Sequence, residues 1–534
     1  MTIPDDSVRP LQRRRFLGLA ASGTLAGLAS ATLGTPGSRA YAAVNGRTDF
    51  KAVVIGSGFG GAVSALRLGQ AGVDTLILER GKEWPLSDTQ AVFGSSDRTD
   101  NRMFWFRNIA NWPAVWPVPM VPAPGVMEVN EDNPDIDIAC GAAVGGGSIV
   151  YTGVTLEPPR KYFERLYPQL SYDEFVATWY PKARGMLGSA TMPDDVLNSR
   201  PWTHSRIWEK HAKAAGFSTE KIQTVFDWDV IRRELAGQVR PSASIGETDF
   251  GCSDGAKKSL TRSYLPAAIA TGKVQLQSLA EVQRIGRTAN GRWQVVVKQM
   301  DAAGNQLSVD TYTSELLFVC AGTLNTNRLL VAARDSGALP NLTADVGVGF
   351  GDNGDQFSGY MHLLEAAGNA QGSACYSGAF IDSGLGVPVR AEGWQLQAAH
   401  DLPIAMTLTM TVDFDNRGTF QYDRLTGKVT LRDWTAAKAQ PSADAARAFN
   451  QRMIDRNPGV VPANVVWPFT LTAHPLGGMV IGRATDWEGR VKGYDKLYVL
   501  DGSLIPGTVG GANPSLSITA LAERSISKII QAGG

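Results

Sequence analysis

The run Lys51-Ala52-Val53-Val54-Ile55-Gly56-Ser57-Gly58-Phe59-Gly60-Gly61, continued at Thr75-Leu76-Ile77-Leu78-Glu79, decides the fold. Four apolar, β-branched-rich residues, Ala52 to Ile55, read as a buried parallel strand. Glycines at 56, 58 and 61 form a GxGxxG. Helical spacing follows, with Ala62, Ala65 and Leu66 on one face, and then a second strand closed by a carboxylate. Each residue type has a physical reason. Gly56 permits a tight turn, Gly58 lets backbone approach a pyrophosphate, and Gly61 lets helix and strand pack closely. The helix N-terminus faces the anion. Glu79 stands where a carboxylate accepts hydrogen bonds from ribose hydroxyls, and an acid there disfavours a 2′-phosphate. Together these predict a dinucleotide-binding βαβ unit.

Working outward, Gly141-Ala142-Ala143-Val144-Gly145-Gly146-Gly147-Ser148 has no strand–turn–helix framing. It reads as backbone laid against a flat ring or a diphosphate. Near the other end, Leu497-Tyr498-Val499-Leu500-Asp501-Gly502-Ser503 is a strand ending in Asp-Gly. Pro506-Gly507 and Gly510-Gly511-Ala512-Asn513-Pro514 lead into a last amphipathic helix. A cofactor touching both ends of the chain follows. Bulk properties exclude other classes. With 534 residues the chain is long enough for two or more domains. Lys+Arg and Asp+Glu are both 51, so no basic surplus points to nucleic acid. Cys140, Cys252, Cys320 and Cys375 have no CxxC spacing, which gives no metal site and leaves buried thiols, with room for one disulfide after export.

The N-terminus reads as an export signal over residues 1–42. Arg13-Arg14-Arg15-Phe16-Leu17 is a twin-arginine run, and a small, apolar stretch continues to about Leu33. That stretch is too short and too rich in Ala and Gly to anchor well. Ala40-Tyr41-Ala42 offers the cleavage site; an uncleaved anchor is the alternative. The chain is expected to be secreted.

These motifs resemble the glucose–methanol–choline (GMC) oxidoreductases, and within them the noncovalent-FAD cholesterol oxidases of actinobacteria. The matching stretches are Ala52 to Glu79, Gly145 to Ser148, Glu157-Pro158 with Tyr162-Phe163, Ser259 to Thr271 and Pro340-Asn341-Leu342. Arg417-Gly418-Thr419-Phe420 and His474-Pro475-Leu476-Gly477-Gly478 continue the series, which runs through Asp501-Gly502-Ser503 to Ala520-Leu521-Ala522-Glu523-Arg524. The resemblance implies an α/β, Rossmann-like FAD domain made of 47–87, 257–345 and 488–534. It also implies a discontinuous α+β substrate domain, 88–256 with 346–487, on a mixed β-sheet with helices. It adds Val282 to the cofactor residues. Trp105, Trp112 and Trp116, interleaved with prolines, cannot be helical; they form a loop over the substrate cavity or a wrap over the core.

Oxidising an alcohol on a flavin sends a hydride to the ring and a proton to a base, inside a pocket that excludes water. Of five histidines, His474 is held on a turn by Pro475 and Gly477-Gly478, and the resemblance places it over the flavin at the substrate hydroxyl. His204 and His211 read as helix surface near Trp208 and Lys210. Asn513 before Pro514 is implied to touch the reduced flavin; an N-cap is the alternative role. Glu392 stands where the resembling oxidases carry a carboxylate that moves a proton between steroid carbons. Its flanks Arg390 and Gly393-Trp394-Gln395 differ from the family's apolar ones, and a surface acid beside Arg390 is the alternative. Tyr151-Thr152-Gly153 departs from the family's Asn-Gly-Gly beside the ring.

The resemblance therefore implies noncovalent FAD, an alcohol substrate of sterol type, oxygen as acceptor and a Δ5-to-Δ4 shift of a steroid double bond. The partners expected are this alcohol and molecular oxygen, with no nucleic acid, at most transient contact with a membrane surface, and a monomeric chain. A GMC oxidase or dehydrogenase acting on another hydroxylated lipid or natural product is the rival. A flavin-binding protein without turnover is disfavoured by the presence of both His474 and Asn513.

Overall fold

The strand Asp49–Ile55 is buried from Ala52 onward because it lies at the centre of a sheet. Thr75–Leu78 pairs with it in parallel on one side and Gln306–Val319 in parallel on the other. The computed structural model describes residues 46–96, 98–110, 117–365, 370–395, 402–463 and 470–533. The expected export signal, Trp112, Trp116 and His400 lie outside them. The described residues from 46 onward form one compact unit.

Among the described residues the central sheet has seven strands, in the order Val274–Gln277, Thr75–Leu78, Asp49–Ile55, Gln306–Val319, Trp293–Met300, Ala280–Arg287, with Leu497–Val499 also on Gln306–Val319. Its inner strands are parallel, and the last two turn antiparallel as a ribbon. Helix Phe59–Gln70 packs on this sheet and against the last helix, Pro514–Gln531. The tight turn between strand and helix needs glycine: Gly56 has φ +95°, and a Cβ on Gly61 would lie 2.0 Å from the Gly56 carbonyl oxygen.

A second sheet runs Val460–Pro462, Asp355–His362, Ile404–Thr411, Val389–Trp394, Ser377–Ile381, Glu220–Lys221, with every pairing antiparallel. Mixed pairing occurs in a three-stranded sheet, where Leu471–Thr472 runs parallel and Met127–Asn133 antiparallel to Ile136–Gly141. Helix Thr203–Ala214 backs the second sheet. Here one expectation is corrected: His204 and His211 are on the buried face of this helix, 4% and 3% exposed. His204 Nδ1 bonds the Pro201 carbonyl, and His211 Nδ1 meets the Tyr360 hydroxyl at 3.1 Å. The spacing identified the helix, but the side that faces inward was set by the sheet carrying Tyr360. All four cysteines are free thiols.

Candidate active site

One cavity of about 1010 Å³ is walled by both glycine loops, by the start of the last helix and by the second sheet. Gly56, Gly58, Glu79, Gly146, Gly147, Val282, Asp501 and Gly502 meet it; Gly61, Gly145 and Ser148 do not. Those three hold the wall together. The Ser57 hydroxyl accepts from the Gly145 N–H at 2.9 Å and donates to Glu79 at 2.7 Å. Ser148 Oγ donates to the Gly145 carbonyl and accepts from the Leu260 N–H. Glu79 also accepts from the Ser57 and Gly81 N–H groups, so much of its carboxylate serves the loops. Asp501 accepts from the Gly322 and Ser503 N–H groups and from the Thr326 and Ser503 hydroxyls, which turns its carboxylate inward.

The two glycine loops touch backbone to backbone. A Cβ on Gly146, whose φ is +53°, would stand 2.7 Å from Gly58 Cα. Helix Phe59–Gln70 has no side-chain cap, so its first N–H groups are available to the cavity that Gly58, Phe59 and Gly60 line. This bare cradle at a helix N-terminus fits a diphosphate.

His474 sits on the turn between Leu471–Thr472 and Leu476–Gly478. Its Nδ1 is 2.8 Å from Oδ1 of Asp355, a fully buried residue at the start of its strand. Asp355 Oδ2 accepts from Thr472 Oγ1 and the Ala473 N–H, and Thr472 Oγ1 accepts from the His474 N–H. With Nδ1 given to Asp355, Nε2 is the ring nitrogen left for the cavity. Burial lowers the basicity of the imidazole, but the charge and hydrogen bond of Asp355, and then Glu392, more than offset it; the net pKa is raised. Sequence reading missed Asp355. Its only local sign is the Asn353-Gly354 turn dipeptide opening a strand on an acid.

Asn513 occupies the N-cap position of the last helix by backbone, yet its side chain makes no cap hydrogen bond. Instead Nδ2 donates to Glu392 Oε2 at 3.3 Å. Glu392 is therefore no surface acid: it is 2% exposed, and its Oε1 has no partner among the described residues. It shares a sheet face with the cavity-lining Met406 and Leu408, through the cross-strand pairs Glu392–Leu408 and Trp394–Met406. Burial pushes its carboxyl up to about 7; Arg390, Asn513 and His474 pull the other way. Glu392 stands one hydrogen bond behind the cavity wall that Asn513 forms. Arg390 itself pairs with Glu220.

Tyr151 and Thr152 line the cavity. The Tyr151 ring meets Phe59 edge-on at 5.4 Å, its hydroxyl is buried without a partner among the described residues, and burial raises its pKa. Trp105 also reaches the cavity, under the guanidinium of Arg80. Trp394, Gln395 and Met406 complete a wall that sequence reading had not assigned.

A chain with this cradle, and a histidine–carboxylate pair beside it, matches a known class. Residues 50–350 and 426–522 match the N- and C-terminal parts of the GMC oxidoreductases. The chain belongs to that family, whose members are FAD-dependent oxidoreductases acting on CH–OH donors. More particularly, it is 28% identical to a cholesterol oxidase of Mycobacterium tuberculosis, over 90% of this chain and 91% of that one. It is 25% identical to a cholesterol oxidase of Acinetobacter baumannii, over 90% and 94%. Among solved structures it resembles pyridoxine 4-oxidase from Mesorbium loti, with TM-score 0.61, 14% identity, and 90% and 99% of the chains covered. A fungal aryl-alcohol oxidase gives 0.62, 13%, and 91% and 100%. At such identity these two speak for the fold alone.

Proposed function

We propose that the chain is an exported alcohol oxidase that binds FAD noncovalently, oxidises a secondary alcohol of 3β-hydroxysteroid type, and passes the electrons to oxygen. The observation that carries this reading is the pair of half-buried His474 and fully buried Asp355, turned toward a cavity that both glycine loops and Asn513 also wall. Strands of the 47–87, 257–345 and 488–534 segments would hold the cofactor, and the antiparallel sheet the substrate.

The bound flavin supplies a two-electron acceptor, which oxygen regenerates with release of hydrogen peroxide. The protein supplies the rest. His474 Nε2 takes the hydroxyl proton as the carbinol C–H leaves as hydride, and the C–O bond becomes a carbonyl. Asp355 orients the ring and stabilises the imidazolium. Asn513 Nδ2 donates toward the reacting centre while Glu392 fixes its rotamer. Glu392, with its high pKa, is suited to carry a proton from one steroid carbon to another after oxidation, once Asn513 turns aside and opens the cavity to it.

A second reading, another hydroxylated lipid or natural product, is favoured by Tyr151-Thr152 at the wall. Aerobic turnover of cholesterol against a panel of alcohols separates them, following peroxide and the conjugated enone. Peroxide with cholesterol supports the first reading, and peroxide only with other alcohols the second. Failure of every alcohol to reduce the flavin overturns both.

A further inference from the structure

The sheet wall of the cavity carries three unused hydrogen-bonding atoms on two consecutive residues. Trp394 Nε1, Gln395 Nε2 and Gln395 Oε1 are all buried with no partner among the described residues, and both residues line the cavity. Gln395 is 4% exposed. Buried polar groups are rarely left unpaired, since desolvation without a new partner is costly. A primary amide and an indole N–H together offer donors and an acceptor. Around them the wall is apolar: Ile404, Met406 and Leu408 face the same cavity, and Phe357 stacks on Trp394 at 4.9 Å.

Their position along the strand sets a distance. Glu392 and Trp394 stand two residues apart on one face of the strand Val389–Trp394, and Gln395 follows just beyond its end, so the anchor lies about 7 Å or more along the sheet from the Asn513–Glu392 end. That span suits a rigid polycyclic skeleton with one oxygen at each end.

We infer that Trp394 and Gln395 form a second polar anchor, and that the substrate is a secondary alcohol bearing a second oxygen or nitrogen function at the far end of an otherwise apolar skeleton. This rests on the alcohol-oxidising reading of the cavity. It narrows that reading away from sterols whose far end is a bare hydrocarbon tail.

The test uses FAD-loaded enzyme and two matched pairs of alcohols. Dehydroepiandrosterone, with a ketone at the far end of its rings, is set against its deoxo analogue. Bicyclohexyl diol is set against cyclohexylcyclohexanol. Both kcat/KM and the perturbation of the flavin spectrum on anaerobic binding are measured. The doubly oxygenated member of at least one pair is expected to win by roughly tenfold or more. Gln395→Leu and, more mildly, Trp394→Phe are expected to bring that ratio toward one. No preference in turnover or binding in either pair, or a preference that Gln395→Leu leaves unmoved, overturns the anchor. A binding preference without flavin reduction by any alcohol instead overturns the oxidase reading and leaves the anchor standing.

Discussion

His474 works against its own burial. An isolated buried imidazole loses basicity, yet here Asp355, and to a smaller degree Glu392, raise it above the ordinary value. As the proposed base, His474 must be neutral to accept a proton, so kcat/KM should fall as pH drops through this raised value, above about 6.5. In Asp355→Asn the burial remains and the charge is gone. The acid limb of the pH profile should therefore move down while the plateau falls roughly tenfold to a hundredfold. A limb that stays in place would assign it to another group. Glu392 gives a second prediction of opposite kind. Its folded value of about 7 exceeds the model-compound 4.5. The folded state thus holds its proton more tightly, and the stability this confers is complete below about 4.5 and lost as pH rises through 7. Glu392→Gln should gain on the wild type between pH ~5 and ~8 by up to ~3 kcal/mol, read from denaturant unfolding of the flavin-free protein. An advantage that does not change with pH would deny the raised value. The enone-forming step, where it occurs, should be lost in the same variant while alcohol oxidation persists.

At the scale of elements, one tight turn sets up both side chains to which the proposed chemistry is assigned, His474 and Asn513. Asp352–Asp355 carries Asp355 on its last residue, and so holds His474. Asn353 has φ +58°, a conformation asparagine tolerates. Its Nδ2 donates to the Ala512 carbonyl at 3.0 Å, and its Oδ1 accepts from the Val509 N–H at 2.9 Å. The loop that ends in Asn513 therefore hangs on this turn. Asn353→Gly keeps the backbone conformation and removes these bonds, together with the longer one from the Thr508 hydroxyl. It should lower kcat roughly tenfold with flavin still bound and the acid limb unmoved; full turnover in this variant would remove the turn from the positioning of Asn513. These couplings explain what was legible in the sequence. GxGxxG, the second glycine loop and the His474 turn declare themselves locally, because each needs particular residues at fixed spacing. Asp355 lies 119 residues from His474, and Glu392 lies 121 from Asn513. Nothing in either local pattern names its partner. The same holds for His204 and His211: periodicity gave the helix, and only the packed sheet decided that they face inward.

Across the whole molecule the cavity is a meeting of chain ends. Its wall runs from Ile55 to Ile518, so a ligand filling it ties the first strand to the last helix. Ligands that bind only the folded state stabilise it in proportion to the logarithm of their excess over Kd, by about 2.7 kcal/mol at a hundredfold excess. Removal of FAD should therefore lower Tm by several degrees. Gly146→Ala separates this linkage from the stability of the fold itself. A methyl group at a φ of +53°, 2.7 Å from Gly58 Cα, must part the two glycine loops and cost the flavin-free protein something as well. The informative quantity is the gap in Tm between the loaded and the stripped protein, measured for both chains at equal added FAD. In the variant that gap should shrink sharply, because the cradle is deformed where the diphosphate would lie. An equal drop in both forms, with the gap preserved, would mean that the contact between the loops supports the fold without shaping the cofactor site.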